Sequence, residues 1–227
     1  MKEPILITGC ARSGTSMTAG ILSLCGAVGG DMFGATRFNP RGMFENKIIR
    51  EGVTKNYLRS IGADPLGQKP LPDMKRVYQD ATNPKFVYQW RDTVQGIAKA
   101  QGMGDDEPWF YKGAKMCLFW PIWHNAFPGA KWVVVRRTDS DIVSSCLRTN
   151  FMKAYSTAEG WQGWVDVHKR RFEEMKSTGL RVFEVWPEKA IQGDLTGVYS
   201  MLEWLQLEPH PELITKFIDP VLWGKRK

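Results

Sequence analysis

Residues 5–16 read ILITGCARSGTS, an apolar run followed at once by a turn of small residues. The apolar and β-branched residues 5–8 predict a short buried strand. The turn places Gly9 and Gly14 five positions apart, and a segment of helical character follows it. Glycines in such a turn allow the backbone to wrap an anion, and the helix behind adds its positive N-terminal end. We therefore interpret residues 9–16 as a phosphate-binding loop.

The side chains of this loop favour a particular kind of anion site. The candidate ligands are Arg12, Ser13, Gly14, Thr15 and Ser16. Arg12 offers a fixed cationic fork and the hydroxyls add donors. The spacing matches a Walker A loop, but Thr15 stands where such loops carry the Lys that reaches a nucleoside triphosphate. That difference argues against a kinase or ATPase. A plain glycine turn would explain the glycines, but not Arg12 together with three hydroxyls.

A second basic motif follows the clearest strand of the chain, residues 131–136. Arg137 is followed four residues later by Asp141 and eight residues later by Ser145. Ligands collect at the carboxyl ends of parallel strands, so an Arg there and a Ser in the next helix can share one phosphate. The alternative is that Arg136 and Arg137 only form surface ion pairs with Asp139 or Asp141.

Together these two motifs resemble those of the sulfotransferase superfamily, in its bacterial-type branch. Residues 9–16 are similar to the family's 5′-phosphosulfate loop, and the pattern from Arg137 to Ser145 is similar to its 3′-phosphate motif, although Asp139 stands where the family usually has Pro. The resemblance spans residues 4–207. It implies that a sulfuryl group passes from 3′-phosphoadenosine 5′-phosphosulfate (PAPS) to a hydroxyl or amine, leaving adenosine 3′,5′-bisphosphate (PAP), and that no metal takes part.

Two residues are candidates for catalysis. Lys112 resembles a family Lys, but the His that follows it by two residues in animal cytosolic members is replaced by Ala114. Residues 39–46 are similar to a segment that many bacterial-type members carry, and Glu45 within it is our candidate for the general base. An apolar pocket would raise the pKa of Glu45 toward a useful value. The alternative is that Glu45 only caps the helix that follows.

Strands alternate with helices along the chain, which predicts an α/β fold: a P-loop-like, three-layer arrangement with a central, mainly parallel sheet flanked by helices. We expect residues 1–227 to form a single domain, with residues 27–108 as an acceptor-side or lid insertion. The predicted strands are 5–8, 109–112, 131–136 and 181–185. The predicted helices are 17–24, 45–60, 86–101, 118–127, 140–149, 158–177 and 195–205. Most of the tryptophans are expected in the core.

Composition narrows the class of partner. The net charge of +7 is spread over loops, which favours a polyanionic small molecule over a nucleic acid. The four cysteines lack metal-ligand spacing and no apolar run reaches about 20 residues. We expect a cytoplasmic enzyme with a small-molecule or glycan acceptor, no nucleic acid and no membrane span. A P-loop small-molecule kinase, or another nucleotide-binding protein, is the alternative. The C-terminal residues 223–227 are faintly similar to a family 3′-phosphate contact, or else form a disordered tail.

Overall fold

The computed structural model describes residues 1–37, 39–104 and 107–223, which contain a four-stranded parallel sheet. The strands are β1 (Ile5–Gly9), β2 (Phe110–Lys112), β3 (Lys131–Val135) and β4 (Val182–Val185). Their order in the sheet is β2-β1-β3-β4, so Ile5 pairs with Phe110 on one side and with Lys131 on the other. The predicted parallel sheet is confirmed, with each strand end within about one residue of its expected place.

The helices that flank the sheet agree largely with the predicted ones. They are α1 (Thr15–Leu24), a π-helix (Ile49–Thr54) that continues into α2 (Lys55–Ser60), α3 (Met74–Ala81), α4 (Pro84–Ala100), a 3₁₀ helix (Ala114–Phe119) that continues into α5 (Trp120–Ala126), α6 (Asp139–Leu147), α7 (Ala158–Ser177), α8 (Pro187–Ile191), α9 (Thr196–Leu205), α10 (Pro211–Phe217) and a final 3₁₀ turn (Pro220–Leu222). Capping explains their sharp starts: Asn83 accepts from the Lys85 N–H at the start of α4, and Thr157 accepts from the Gly160 N–H in α7.

Two details of the helices differ from expectation. The segment 45–60 forms the π-helix and α2 in succession, where a single regular helix was expected. Helices α3, α8 and α10 are not among the predicted ones: α3 follows a Pro-containing stretch, and α8 and α10 are short and each begins at a Pro.

Alternating side chains of the strands fill a core on each face of the sheet. Ile5 and Ile7 face α1 and α9, whereas Leu6 faces α5 and α7 on the opposite side. β3 continues the same alternation, with Trp132 and Val134 on the side of Leu6. This gives the predicted three layers. The tryptophans expected in the core are buried there: Trp90, Trp120, Trp123, Trp161 and Trp164. Over the described residues, every helix is too short or too polar to span a bilayer.

Candidate active site

The loop after β1 leaves the N terminus of α1 open to a ligand. Gly14 precedes α1 with φ +101°, in the left-handed region, and no side chain caps the helix. Gly9 must also be a glycine, because a Cβ there would lie 2.5 Å from the carbonyl oxygen of Val135 in β3. The first N–H groups of α1 have no intrahelical partner, so they are available to an anion at this end of the helix.

A cavity of 860 Å³ opens in front of this loop. Its lining includes Arg12, Gly14, Thr15 and Ser16 from the predicted set. Ser13 is not part of the lining: its side chain is fully buried beneath the loop, and Oγ makes no hydrogen bond with the described residues. The turn folds this side chain under Gly9, and the predicted contact of Ser13 with an anion stays a prediction. Ser16 Oγ donates to the carbonyl of Met43, 3.3 Å away.

The two basic motifs meet in a single wall of the cavity. Arg12 Nε donates to Ser145 Oγ at 3.0 Å, and Arg137 Nη1 donates to the carbonyl oxygen of Arg12 at 3.0 Å. Arg137 is 8% exposed, its Nε is buried without a hydrogen-bond partner among the described residues, and its ion pair with Asp141 is 3.7 Å long. Burial lowers the pKa of Arg137, although Asp141 and Glu188 act in the opposite direction. A buried cation with so little compensation is suited to an anionic ligand.

The adjacent arginine has a different environment. Arg136 does not line the cavity: its Nη1 lies 2.5 Å from Glu184 Oε1, and its guanidinium packs over the ring of Phe172. Asp139, which replaces the family's usual Pro, pairs with Lys169 at 2.7 Å. Arg136 is therefore held by Glu184 and not by Asp139 or Asp141, whereas Arg137 lies at the cavity with only a 3.7 Å contact to Asp141.

Glu45 and Lys112, the two candidates for catalysis, form a buried ion pair in the cavity wall. Lys112 Nζ donates to Glu45 Oε1 at 3.0 Å and to the carbonyl of Met43 at 3.2 Å, and Arg50 Nε lies 2.5 Å from Glu45 Oε2. Their side chains are 5%, 8% and 16% exposed for Lys112, Glu45 and Arg50.

The surroundings of Glu45 differ from those expected. Burial alone would raise its pKa, but Lys112, Lys115 and Arg50 outweigh burial and lower the pKa to about 2. The expectation of a raised pKa is wrong, because the pocket around Glu45 is cationic, not apolar. The alternative role as a helix cap is wrong as well, since Asn46 Oδ1 accepts the Ile49 N–H at the start of the helix.

Two solved structures have a fold similar to that of this chain. The sulfotransferase domain of the Synechococcus PCC 7002 olefin synthase matches 99% of this chain and 88% of its own, with a TM-score of 0.57 and 16% identity. The sulfotransferase domain of the curacin biosynthetic pathway matches 94% of this chain and 77% of its own, with a TM-score of 0.57 and 12% identity. The chain has a sulfotransferase-like fold. Compared by sequence, it matches neither a protein-family profile nor a curated protein.

Within this sulfotransferase-like fold, one residue at the cavity was not predicted from the sequence. His168 lies on α7, whose buried positions 161, 164, 165, 168, 172 and 175 follow helical spacing, so periodicity signals that this position is buried but not that it reaches the cavity. Trp223, the first residue of the stretch with the faint C-terminal similarity, covers Arg137, with the guanidinium carbon 4.4 Å from its ring centroid. Residues 224–227, including most of the stretch with the faint C-terminal similarity, lie outside the described residues.

Proposed function

We propose that this chain is a PAPS-dependent sulfotransferase that acts on a hydroxyl or amine of a separate acceptor molecule. The observation that carries the proposal is the contact between the two motifs: Arg12, Ser145 and Arg137 form one connected wall beside the open N terminus of α1. Few ligands of nucleotide size carry two anionic groups that would use two neighbouring anion-binding sites. A donor with a 5′-phosphosulfate and a 3′-phosphate is such a ligand.

The cavity is electrostatically suited to that donor. Its lining contains only two carboxylates among the described residues, Glu45 and Asp219, and both are in ion pairs. The lining cations include Arg12, Arg50, Lys112, Lys115, Arg137 and Arg148. At 860 Å³ the cavity lies near the upper end of the roughly 300–1,000 Å³ typical of small-molecule sites, which leaves room for an acceptor beside a nucleotide.

We assign the donor-side residues as follows. Arg12, the α1 N terminus, Thr15 and Ser16 bind the 5′-phosphosulfate, and Arg137 with Ser145 binds the 3′-phosphate. Sulfuryl transfer releases negative charge onto the 5′-phosphate, so a cation held at this point lowers the barrier. Lys112 is such a cation, and Glu45 with the carbonyl of Met43 fixes its ammonium group in place. Both carboxylate oxygens of Glu45 are engaged in ion pairs, Oε1 with Lys112 and Oε2 with Arg50, so its stronger contribution in this proposal is to hold Lys112.

The first test is nucleotide binding by calorimetry in EDTA. PAP should bind without a metal, and Arg12→Ala should weaken it by about 10- to 150-fold, since charge-assisted hydrogen bonds contribute about 1.5–3 kcal/mol. Arg137→Ala should weaken it similarly. Arg136→Ala is the matched control, because Arg136 is adjacent in sequence but pairs with Glu184 outside the cavity. Binding of ATP with Mg²⁺ in preference to PAP would support the kinase alternative and overturn the proposal.

A further inference from the structure

The part of the cavity next to α7 is chemically unlike the basic wall. Its walls are formed by Leu66, Phe151, Met152 and Trp164, and His168 is the titratable residue of α7 that lines it. Leu66 and Phe151 are 43% and 39% exposed, so an apolar rim surrounds the opening on this side. We call these five residues the α7 chamber.

Hydrogen bonds fix the walls of the α7 chamber. Trp164 Nε1 donates to the carbonyl of Gly67 at 2.9 Å. Gln68 is buried and bridges to the facing loop: its Nε2 donates to the carbonyl of Phe151 at 2.8 Å, and its Oε1 accepts the Lys153 N–H at 2.9 Å. Because the Trp164 indole and the Gln68 amide are already bonded within the wall, these two residues present mainly apolar surface to a ligand.

His168 presents a hydrogen-bond acceptor in this apolar setting. Its Nδ1 lies 2.8 Å from the carbonyl oxygen of Trp164, one turn earlier in α7. A carbonyl only accepts, so Nδ1 carries the proton and Nε2 is left with a lone pair. Burial lowers the pKa of His168 to about 4, so the ring is neutral at pH 7. The ring also packs on the indole of Trp164, with centroids 4.0 Å apart, which fixes its orientation.

The charges around the chamber exclude some acceptors. Both carboxylates of the described lining lie elsewhere: Glu45 pairs with Lys112 and Arg50, and Asp219 pairs with Arg41. An alkylamine acceptor would be protonated at pH 7 and would find no free carboxylate among the described residues that line this chamber. A sugar would meet apolar walls that leave most of its hydroxyls without partners.

We infer that the α7 chamber is the acceptor subsite of the proposed sulfotransferase, and that it takes an uncharged alcohol or phenol with an apolar body whose hydroxyl donates to His168 Nε2. This inference rests on the proposed function. As the acceptor oxygen bonds to sulfur, its proton passes to Nε2. The bond between sulfur and the oxygen of the nucleotide phosphate breaks, and its electron pair leaves with the phosphate beside Lys112. The proton then passes from His168 to water.

The experiment uses 2-naphthol as the probe and D-glucose and benzylamine as comparisons, each titrated calorimetrically into the full chain with and without saturating PAP. We expect 2-naphthol alone to bind. His168→Asn keeps a donor for the Trp164 carbonyl but removes the Nε2 acceptor, and it should weaken 2-naphthol by about 3- to 10-fold. His124→Asn is the control: His124 is half-buried on α5, and it is not among the described residues that line the cavity.

Turnover provides a second reading. With radiolabelled PAPS and 2-naphthol, His168→Asn should lower kcat by about 10²-fold or more while PAP affinity stays at the wild-type value. If His168→Asn does not fold, Leu66→Asp serves instead, because Leu66 is exposed at the rim and a carboxylate there should weaken 2-naphthol but not PAP. Equal 2-naphthol affinity and kcat in both variants, or preferred binding of glucose or benzylamine, would overturn the inference. Failure of PAP to bind would refute the proposed function instead. The titration of 2-naphthol without nucleotide would still decide whether the α7 chamber binds an apolar alcohol.

Discussion

Replacing Glu45 by Gln tests the electrostatic organisation of the cavity directly. The substitution keeps the shape of the side chain and removes the charge that Lys112 and Arg50 share. The pKa of Glu45 falls from an ordinary 4.5 to about 2, and at about 1.36 kcal/mol per pKa unit this corresponds to roughly 3 kcal/mol of stabilisation. Removing one partner of a buried ion pair destabilises a protein by about 3–5 kcal/mol, which agrees in magnitude with the value from the pKa. We expect Glu45→Gln to lower the free energy of unfolding by about 3 kcal/mol at pH 7.

The pH dependence provides the sharper test of the same prediction. The folded pKa of Glu45 is depressed, so its contribution is complete above pH 4.5 and disappears as the pH falls toward 2. Urea unfolding followed by tryptophan fluorescence should therefore show wild type and Glu45→Gln diverging above pH 4.5 and converging near pH 2. Glu51→Gln is a matched control, because Glu51 also pairs with Arg50 but its side chain is 43% exposed, and such pairs contribute about 0–1 kcal/mol. A loss for Glu45→Gln no larger than that of the control, or a loss independent of pH, would refute the reasoning.

Three further substitutions give separate tests. Ser145→Ala removes the proposed 3′-phosphate contact, so calorimetry should show weaker PAP binding by about 3- to 10-fold and a smaller loss for 5′-AMP, which depends on Ser145 only through Arg12. Gly14→Ala would place a Cβ 2.8 Å from the ring of Trp223 at φ +101°, so the melting temperature and PAP affinity should both fall. In wild type the free energy of unfolding should fall as the pH drops from 6.5 to 4, because the unfolded imidazole binds a proton and the folded one does not. His168→Gln should make this fall smaller, which urea unfolding at several pH values will measure.

The parts of the fold that local patterns specify could be predicted from the sequence. The strand before the phosphate loop and the strand before Arg137 are short, apolar and bounded by turns, and both are found where expected. The alternation of strands and helices then restricts the sheet to a parallel one. Helix α7 was predicted to the residue because its apolar stripe repeats over five turns. The short helices α8 and α10 have too few residues to show such a repeat.

The chemistry at Glu45 could not be predicted in the same way. Lys112 lies 67 positions from Glu45 in the chain. The two residues meet because β2, which ends at Lys112, pairs with β1. Sequence reasoning placed Glu45 near the acceptor and inferred an apolar setting, whereas the pairing of strands brings cations to it. His168 was not singled out from the sequence: its spacing in α7 is that of a buried position, but only the fold brings it to the cavity.

The order of strands explains why the residues of the proposed donor site come together. Arg12 follows β1, Lys112 ends β2 and Arg137 follows β3, and the order β2-β1-β3 puts the loop of Arg12 between the other two. The carboxyl ends of parallel strands lie at one edge of the sheet, so these three cations converge near the N terminus of α1. Their positions follow from the sheet and do not depend on the outer helices. The α7 chamber has a different origin, because its walls come from α7 and from the loops before α3 and after α6. If the proposed sites are correct, changes in those segments alter acceptor binding without disturbing the proposed donor site. Calorimetry with a series of alcohols and with PAP should therefore show that substitutions at Leu66 or Met152 change the alcohol affinities and leave PAP affinity intact.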